Sequence, residues 1–390
     1  MANIIDYINE YGEMDFNELE FNELDALIFS QLVYIDYSNE VGDAYDEVRI
    51  SLKEVNSEYR HNHTAEEIEK EISIVNRAIQ LLELCAETKR FSEVRLTRFI
   101  NNVDSQIDKQ FSAVNFHIGD DIAVIAYKGT DTSITGVREA AMLSYMFPVP
   151  AQIEGLYYLQ ETAMRSGRNI IVCGHSKGGN LATFAAVNCS NSLKKKLIGV
   201  YEFDAPGFSN EFLERYDFTE IKDKIHSYIP QTSIIGCVLN HSDTLKIVKS
   251  VNANLKQHRV DSWETDGTSF VFESETDEVS KFIKRYLNGL IEELSDDELE
   301  DFFYSFFKTF EDSGINDYDS LKQMDVSHMF KLFSSYKGID PEKRAGFMMA
   351  LKSMLKDFQA LLIKEKITSK LKKDKEPDEI EEETETLNKE

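Results

Sequence analysis

The stretch from Asn169 to Asn180 constrains this chain more than any other. It opens with Ile170-Ile171-Val172-Cys173, an apolar run rich in β-branched residues. Such a run predicts a strand buried on both faces. Gly174-His175-Ser176-Lys177-Gly178 follows and fits G-x-S-x-G. Leu181, Ala182, Phe184, Ala185 and Ala186 then recur at helical spacing. Strand, tight turn and helix are the setting that a nucleophile elbow needs. Ser176 would stand at the tip of the turn with unfavourable backbone angles, its hydroxyl projecting from the sheet edge. Gly174 and Gly178 lack a Cβ, which lets strand and helix close around it. The Lys177 N–H would lie at a helix N-terminus, where partial positive charge meets a developing oxyanion. G-x-x-x-x-G-K-[ST] is not matched, which excludes that phosphate-cradling loop.

The surrounding chain alternates strands with helices. Residues 111–116 and 122–127 alternate apolar and polar on either side of Gly119-Asp120-Asp121, a hairpin signal. Residues 197–203, 225–229 and 245–248 read as further strands. Thr64-Ala65-Glu66-Glu67 is a capping box, and Ile68, Ile72, Val75, Ile79 and Leu82 predict one amphipathic helix to about Lys89. Residues 152–164 predict another. This order implies an α/β domain with a mostly parallel sheet over residues 24–275. Residues 1–23 form an acidic, sparsely apolar N-terminal segment. Residues 276–363 are helical, with an aromatic face of Leu299, Phe302, Phe303, Phe306, Phe307 and Phe310. Residues 364–390 are almost all charged or polar and are expected to be a disordered, solvating tail.

Composition narrows the function classes. Lys and Arg number 43 against 70 Asp and Glu, a net charge of −27. That opposes nonspecific nucleic-acid binding and docking on anionic lipid. Cys85, Cys173, Cys189 and Cys237 are scattered, with no C-x-x-C, so neither a zinc site nor a disulfide framework is suggested. His61-Asn62-His63 lies in a polar, solvated setting. No signal-peptide pattern and no bilayer-spanning apolar stretch are read from the sequence, so a soluble, cytoplasmic protein is expected.

Acyl transfer by serine needs a base, a group that orients the base, and donors for the oxyanion. With such an elbow the chain order is Ser, acid, His. His258 is the candidate base, placed after the last plausible strand and before the helical region. His241 is the alternative; His226 opens a strand, and His328 lies in the helical region. Asp204 directly follows a strand and is the candidate acid, with Asp243 as the alternative. Gly129-Thr130 sits at a strand end upstream of the elbow, so Thr130 joins Lys177 as a candidate oxyanion donor.

These segments together resemble the class 3 lipase branch of the α/β hydrolases, and more closely a lipase-like bacterial family. The shared marks are the elbow Gly174 to Asn180, the strand-ending Gly129-Thr130-Asp131, Asp204-Ala205-Pro206-Gly207-Phe208, and Gln257-His258 with Trp263. The resemblance covers roughly residues 24–275. It implies the α/β-hydrolase fold and an esterase or lipase activity without a defined substrate. In class 3 lipases the acid usually follows the next strand; that slot, Tyr228-Ile229-Pro230-Gln231-Thr232-Ser233, holds no Asp, which shifts the acid to Asp204. Residues 132–150 occupy the place of a lipase lid, and their apolar residues equally fit a buried helix. The expected activity is cleavage of a carboxylic ester, small or lipid-like, through an acyl-enzyme on Ser176, with no cofactor or metal. A catalytically inactive binding scaffold, with a protein partner on the helical C-terminal region, is the rival. A thioesterase or acyltransferase would use the same site.

Overall fold

The computed structural model describes residues 1–41, 50–131, 133–165, 167–242, 245–252 and 254–312. Helices α1 (Ile4–Tyr11) and α2 (Glu23–Leu32) precede a short strand, β1 (Ile50–Ser51), and helices α3 (Leu52–Asn62), α4 (Ala65–Lys70) and α5 (Ser73–Ala86). Three long strands follow, β2 (Arg95–Asp104), β3 (Lys109–Ile118) and β4 (Ile122–Tyr127). Next come α6 (Ile134–Met142), α7 (Pro150–Arg165), β5 (Asn169–His175), α8 (Lys177–Asn188), α9 (Asn191–Lys194) and β6 (Leu197–Phe203). They lead to α10 (Asn210–Arg215), β7 (Ile225–Pro230) and β8 (Lys246–Val248). The short strands β9 (Thr265–Asp266), β10 (Ser269–Phe270) and β11 (Phe272–Glu273) precede α11 (Glu278–Glu293) and α12 (Asp296–Asp312).

Among the described residues one sheet has nine strands in the order β1-β2-β3-β4-β5-β6-β7-β8-β11, and β9 pairs with β10 in a small ribbon. The run β4 to β8 is parallel throughout. The pairs β1/β2, β2/β3, β3/β4, β8/β11 and β9/β10 are antiparallel. The fold is therefore α/β as expected, but the expected mostly parallel sheet is corrected to a mixed one: among the described residues four of its eight pairings are antiparallel, and the separate β9/β10 ribbon adds a fifth antiparallel pair. Connection length explains the difference. The links β2–β3 and β3–β4 are tight turns, the second through Gly119 at φ +55°. Turns that short join only antiparallel neighbours, whereas parallel pairs need a crossover.

Helical layers cover both faces of the parallel block. On β5, Ile171 and Cys173 enter a core shared with Tyr7, Phe29 and Phe91. Ile170 and Val172 enter a second core shared with Leu159, Leu181 and Phe184. This alternation is the two-faced burial that the apolar run predicts. The acidic N-terminal segment contributes Ile4, Tyr7 and Ile8 to the first core, and the Tyr7 hydroxyl donates to buried Asp25.

The capping box at Thr64 forms, but the single amphipathic helix expected there is two. Glu71 and Ile72 are both extended, ending α4 and starting α5. No residue of α4 is fully buried and only Ile68 reaches the core, half-buried, whereas α5 buries Val75, Ile79 and Leu82. Of the helical C-terminal region, α11 and α12 are described; His328, the apolar face near residues 347–362 and the tail 364–390 lie outside the described residues.

Candidate active site

Three neighbouring parallel strands end at one place. β4 runs out into Gly129-Thr130, β5 into Ser176, and β6 into Asp204. In an open α/β sheet, ligands bind outside the carboxyl ends of the strands. Ser176 has φ 58° and ψ −133°, a backbone conformation that costs a non-glycine residue of order 1–3 kcal/mol. Two glycines permit the turn. A Cβ on Gly174 would lie 2.2 Å from the Gly178 carbonyl carbon, and one on Gly178 would lie 2.1 Å from the Tyr127 oxygen. Ser176 caps α8 and is 8% exposed. Gly129 packs directly against it, because a Cβ there would sit 3.2 Å from Ser176 Cβ. Thr130 follows, half-buried.

The structure brings Asp204 and His258 together. His258 Nδ1 and Asp204 Oδ2 are 2.6 Å apart, with the carboxylate fully buried and the imidazole side chain 35% exposed. Asp204 is a second non-glycine residue with positive φ, at 45°. Its other oxygen accepts from the Ser233 hydroxyl and from Gly236 N–H at 3.1 Å. Ser233, in the segment that follows β7, thus donates to Asp204. The loop of His258 is pinned by Gln257 and Trp263. Gln257 Oε1 accepts from Thr232 N–H at 2.8 Å, and Trp263 Nε1 donates to the Gln257 carbonyl at 2.8 Å. Asn180, last residue of the elbow motif, donates to the Pro206 and Gly207 carbonyls and accepts from Gln152 Nε2. That fastens α8 to the loop that carries Asp204.

Lys177 follows the serine, and its side chain is buried. Its ammonium donates to the Gln110 carbonyl at 2.7 Å, Gln110 Oε1 at 2.9 Å and Glu139 Oε2 at 2.6 Å. Glu139 also accepts from Gln110 N–H and from Ala151 N–H in the first turn of α7. All three ammonium protons therefore have acceptors. Burial pushes the Lys177 pKa down and the Glu139 charge opposes that shift. Glu139 belongs to α6, inside the segment expected at the position of a lid. This pairing was not legible in the sequence: an acid three residues before the end of a helix reads as a solvated position.

His175 is buried, and desolvation holds its pKa well below the ordinary value, with the nearby His258 adding to the effect. The alternative base His241 has its Nε2 3.0 Å from the Gly236 carbonyl and its Nδ1 3.7 Å from Glu202, whereas His258 is the histidine on Asp204. His226 stacks on Tyr201. His63 stacks on Tyr59. The alternative acid Asp243 lies outside the described residues. The four cysteines are buried and unpaired. Among the described residues no helix is long and apolar enough to cross a membrane.

A family model described as Mbeg1-like matches residues 85–308, more than half of the chain. Two similar solved structures are lipases. The chain is 17% identical to the M37 lipase, with 56% of this chain and 70% of that one covered and a TM-score of 0.33. It is 14% identical to the Lip2 lipase from Yarrowia lipolytica, with 45% and 72% covered and a TM-score of 0.30. No curated protein matches the chain.

Proposed function

The chain belongs to the Mbeg1-like family, a lipase-like family, and from that premise we propose that it is a serine hydrolase that cleaves a carboxylic ester of moderately apolar character. The observation that carries the reading is the 2.6 Å contact between buried Asp204 and His258, set beside a strained serine at the end of the adjacent strand. Asp204 orients the imidazole so that Nε2 is left for the Ser176 proton. Ser176 Oγ attacks the ester carbonyl as His258 takes that proton. The Lys177 and Thr130 N–H groups hold the oxyanion. His258 then protonates the leaving alcohol, and an acyl group remains on Ser176. Water, deprotonated by the same imidazole, releases the acid.

The experiment is hydrolysis of p-nitrophenyl esters of increasing chain length by the purified chain. Turnover that disappears in Ser176→Ala and in His258→Ala supports the reading. Equal turnover in wild type and Ser176→Ala contradicts it. Removal of a single oxyanion donor would lower turnover on the order of a hundredfold or more.

A further inference from the structure

His258 lies on a short 3-10 turn, Asn254–His258, rather than on a strand or helix. A base held on a loop keeps productive geometry only if neighbours fix it, and a misplacement of about 1 Å can cost on the order of a hundredfold in rate. Asp204 holds the imidazole. A second contact holds the backbone: His175 Nε2 is 3.0 Å from the His258 carbonyl oxygen. A carbonyl only accepts, so the proton of His175 resides on Nε2. The Nδ1 of the neutral ring is then an acceptor, and the Tyr34 hydroxyl, 3.1 Å away, donates to it. The Tyr34 oxygen also packs on Gly129, where a Cβ would lie 2.3 Å from it. Tyr34 and His175 are each 2% exposed. Burial keeps the His175 ring neutral, the form this donor order requires. The two histidine rings lie 4.5 Å apart, centroid to centroid.

We propose that Tyr34 and His175 are positioning residues. A one-directional chain of hydrogen bonds runs from the Tyr34 hydroxyl, packed on Gly129, through the His175 imidazole to the His258 carbonyl. It holds the loop of the base and the strand end before Thr130 in register with Ser176. The proposal rests on the serine hydrolase reading, and neither residue touches the substrate. It also gives the N-terminal layer a part in catalysis, since Tyr34 lies two residues beyond the end of α2.

The test compares kcat, KM and the rate of fluorophosphonate labelling in the full chain and four variants: Tyr34→Phe, His175→Leu, His175→Gln, and the double variant Tyr34→Phe/His175→Leu. Folding is checked by thermal melts. Tyr34→Phe and His175→Leu are expected to lower kcat and the labelling rate about tenfold to a hundredfold, with KM little changed. His175→Gln keeps an amide donor for the His258 carbonyl and recovers most of the loss. The double variant loses less than the product of the single losses, because one residue acts through the other. Unchanged kcat in the folded single variants, or losses that multiply, overturns the proposal. If His175→Leu does not fold, Tyr34→Phe, which loses one oxygen atom, decides by the same criterion. A folded wild type that is inert to the probe overturns the hydrolase reading and this one with it. A labelled wild type with unaffected variants overturns this one alone.

Discussion

Ser176 and Asp204 end neighbouring strands, and both hold backbone angles that disfavour a side chain. Strain of this kind persists where surrounding structure enforces it, and it concentrates at functional sites. For Asp204 the enforcement is visible in the Ser233 and Gly236 donors to Oδ1 and in its own N–H, which donates to the Tyr228 carbonyl at 2.7 Å. Asp204→Asn would keep the shape but disturb the tautomer of His258. It is expected to lower kcat by about three to four orders of magnitude with the melting temperature little changed. A kcat within tenfold of wild type would remove Asp204 from the site. The buried imidazoles make a separate prediction. In the unfolded chain each takes a proton near pH 6.5, whereas in the folded chain burial holds His175, and to a lesser degree His226, neutral below that. The unfolded state then binds more protons, so stability falls as pH falls below about 6.5. One such group contributes at most about 1.4 kcal/mol per pH unit. Denaturant melts between pH 7 and 5 should show this loss, and a shallower one in His175→Gln. An identical slope in that variant would contradict the assignment.

Between elements, the Lys177–Glu139 pair ties the start of α8 to α6, to β3 through Gln110, and to the first turn of α7. Lys177→Met or Glu139→Gln leaves a buried charge without its partner and is expected to cost about 3–5 kcal/mol by denaturant melts. Lys177→Met combined with Glu139→Leu should restore much of that, and a pair as costly as either single change would argue against a mutual role. The same pair bears on residues 132–150: α6 is anchored to the elbow by a buried acid, and opening it would expose that acid and its lysine. The helix α11 also supports the site. Ser280 Oγ accepts from the Ser233 N–H at 2.7 Å, and Asp277 accepts from the Thr232 hydroxyl. Ser280→Ala should cost about 1–3 kcal/mol, because it strands a buried N–H. The hairpin β3–β4 and the strands β5 to β8 were legible as apolar runs between turn signals. β2 was not: its register shifts between Thr97 and Ile100, where Arg98 has φ 54°, and Asn101-Asn102 follows. That breaks the period of two on which strand reading depends.

At the scale of the whole molecule, the marks that drew the chain together in sequence turn out to meet in space. The Gln257-His258 and Trp263 mark pins the loop of His258, the elbow asparagine reaches the loop after Asp204, and Gly129 packs on Ser176. His175, beside the serine, was legible as a residue that packs or hydrogen-bonds around the elbow; what the sequence withheld are its partner Tyr34, and Ser233 and Glu139. Their roles depend on partners 29 to 141 positions away, and no local pattern encodes such a pairing. The sheet was misjudged for a related reason, since strand direction follows from connections rather than from the apolar runs themselves. A net charge of −27 predicts self-repulsion, so raising salt from about 0.01 to about 0.5 M should raise the melting temperature as the Debye length shrinks from about 30 Å to a few ångströms. A melting temperature that falls steadily over that range would contradict it. The central claim concerns one hydroxyl. Incubation of the folded chain with a fluorophosphonate, followed by mass mapping of the adduct, tests it most directly: the account predicts a single adduct on Ser176, absent in Ser176→Ala and strongly slowed in His258→Ala. An unmodified Ser176 in a folded chain, or an adduct on another residue that persists in Ser176→Ala, would contradict it.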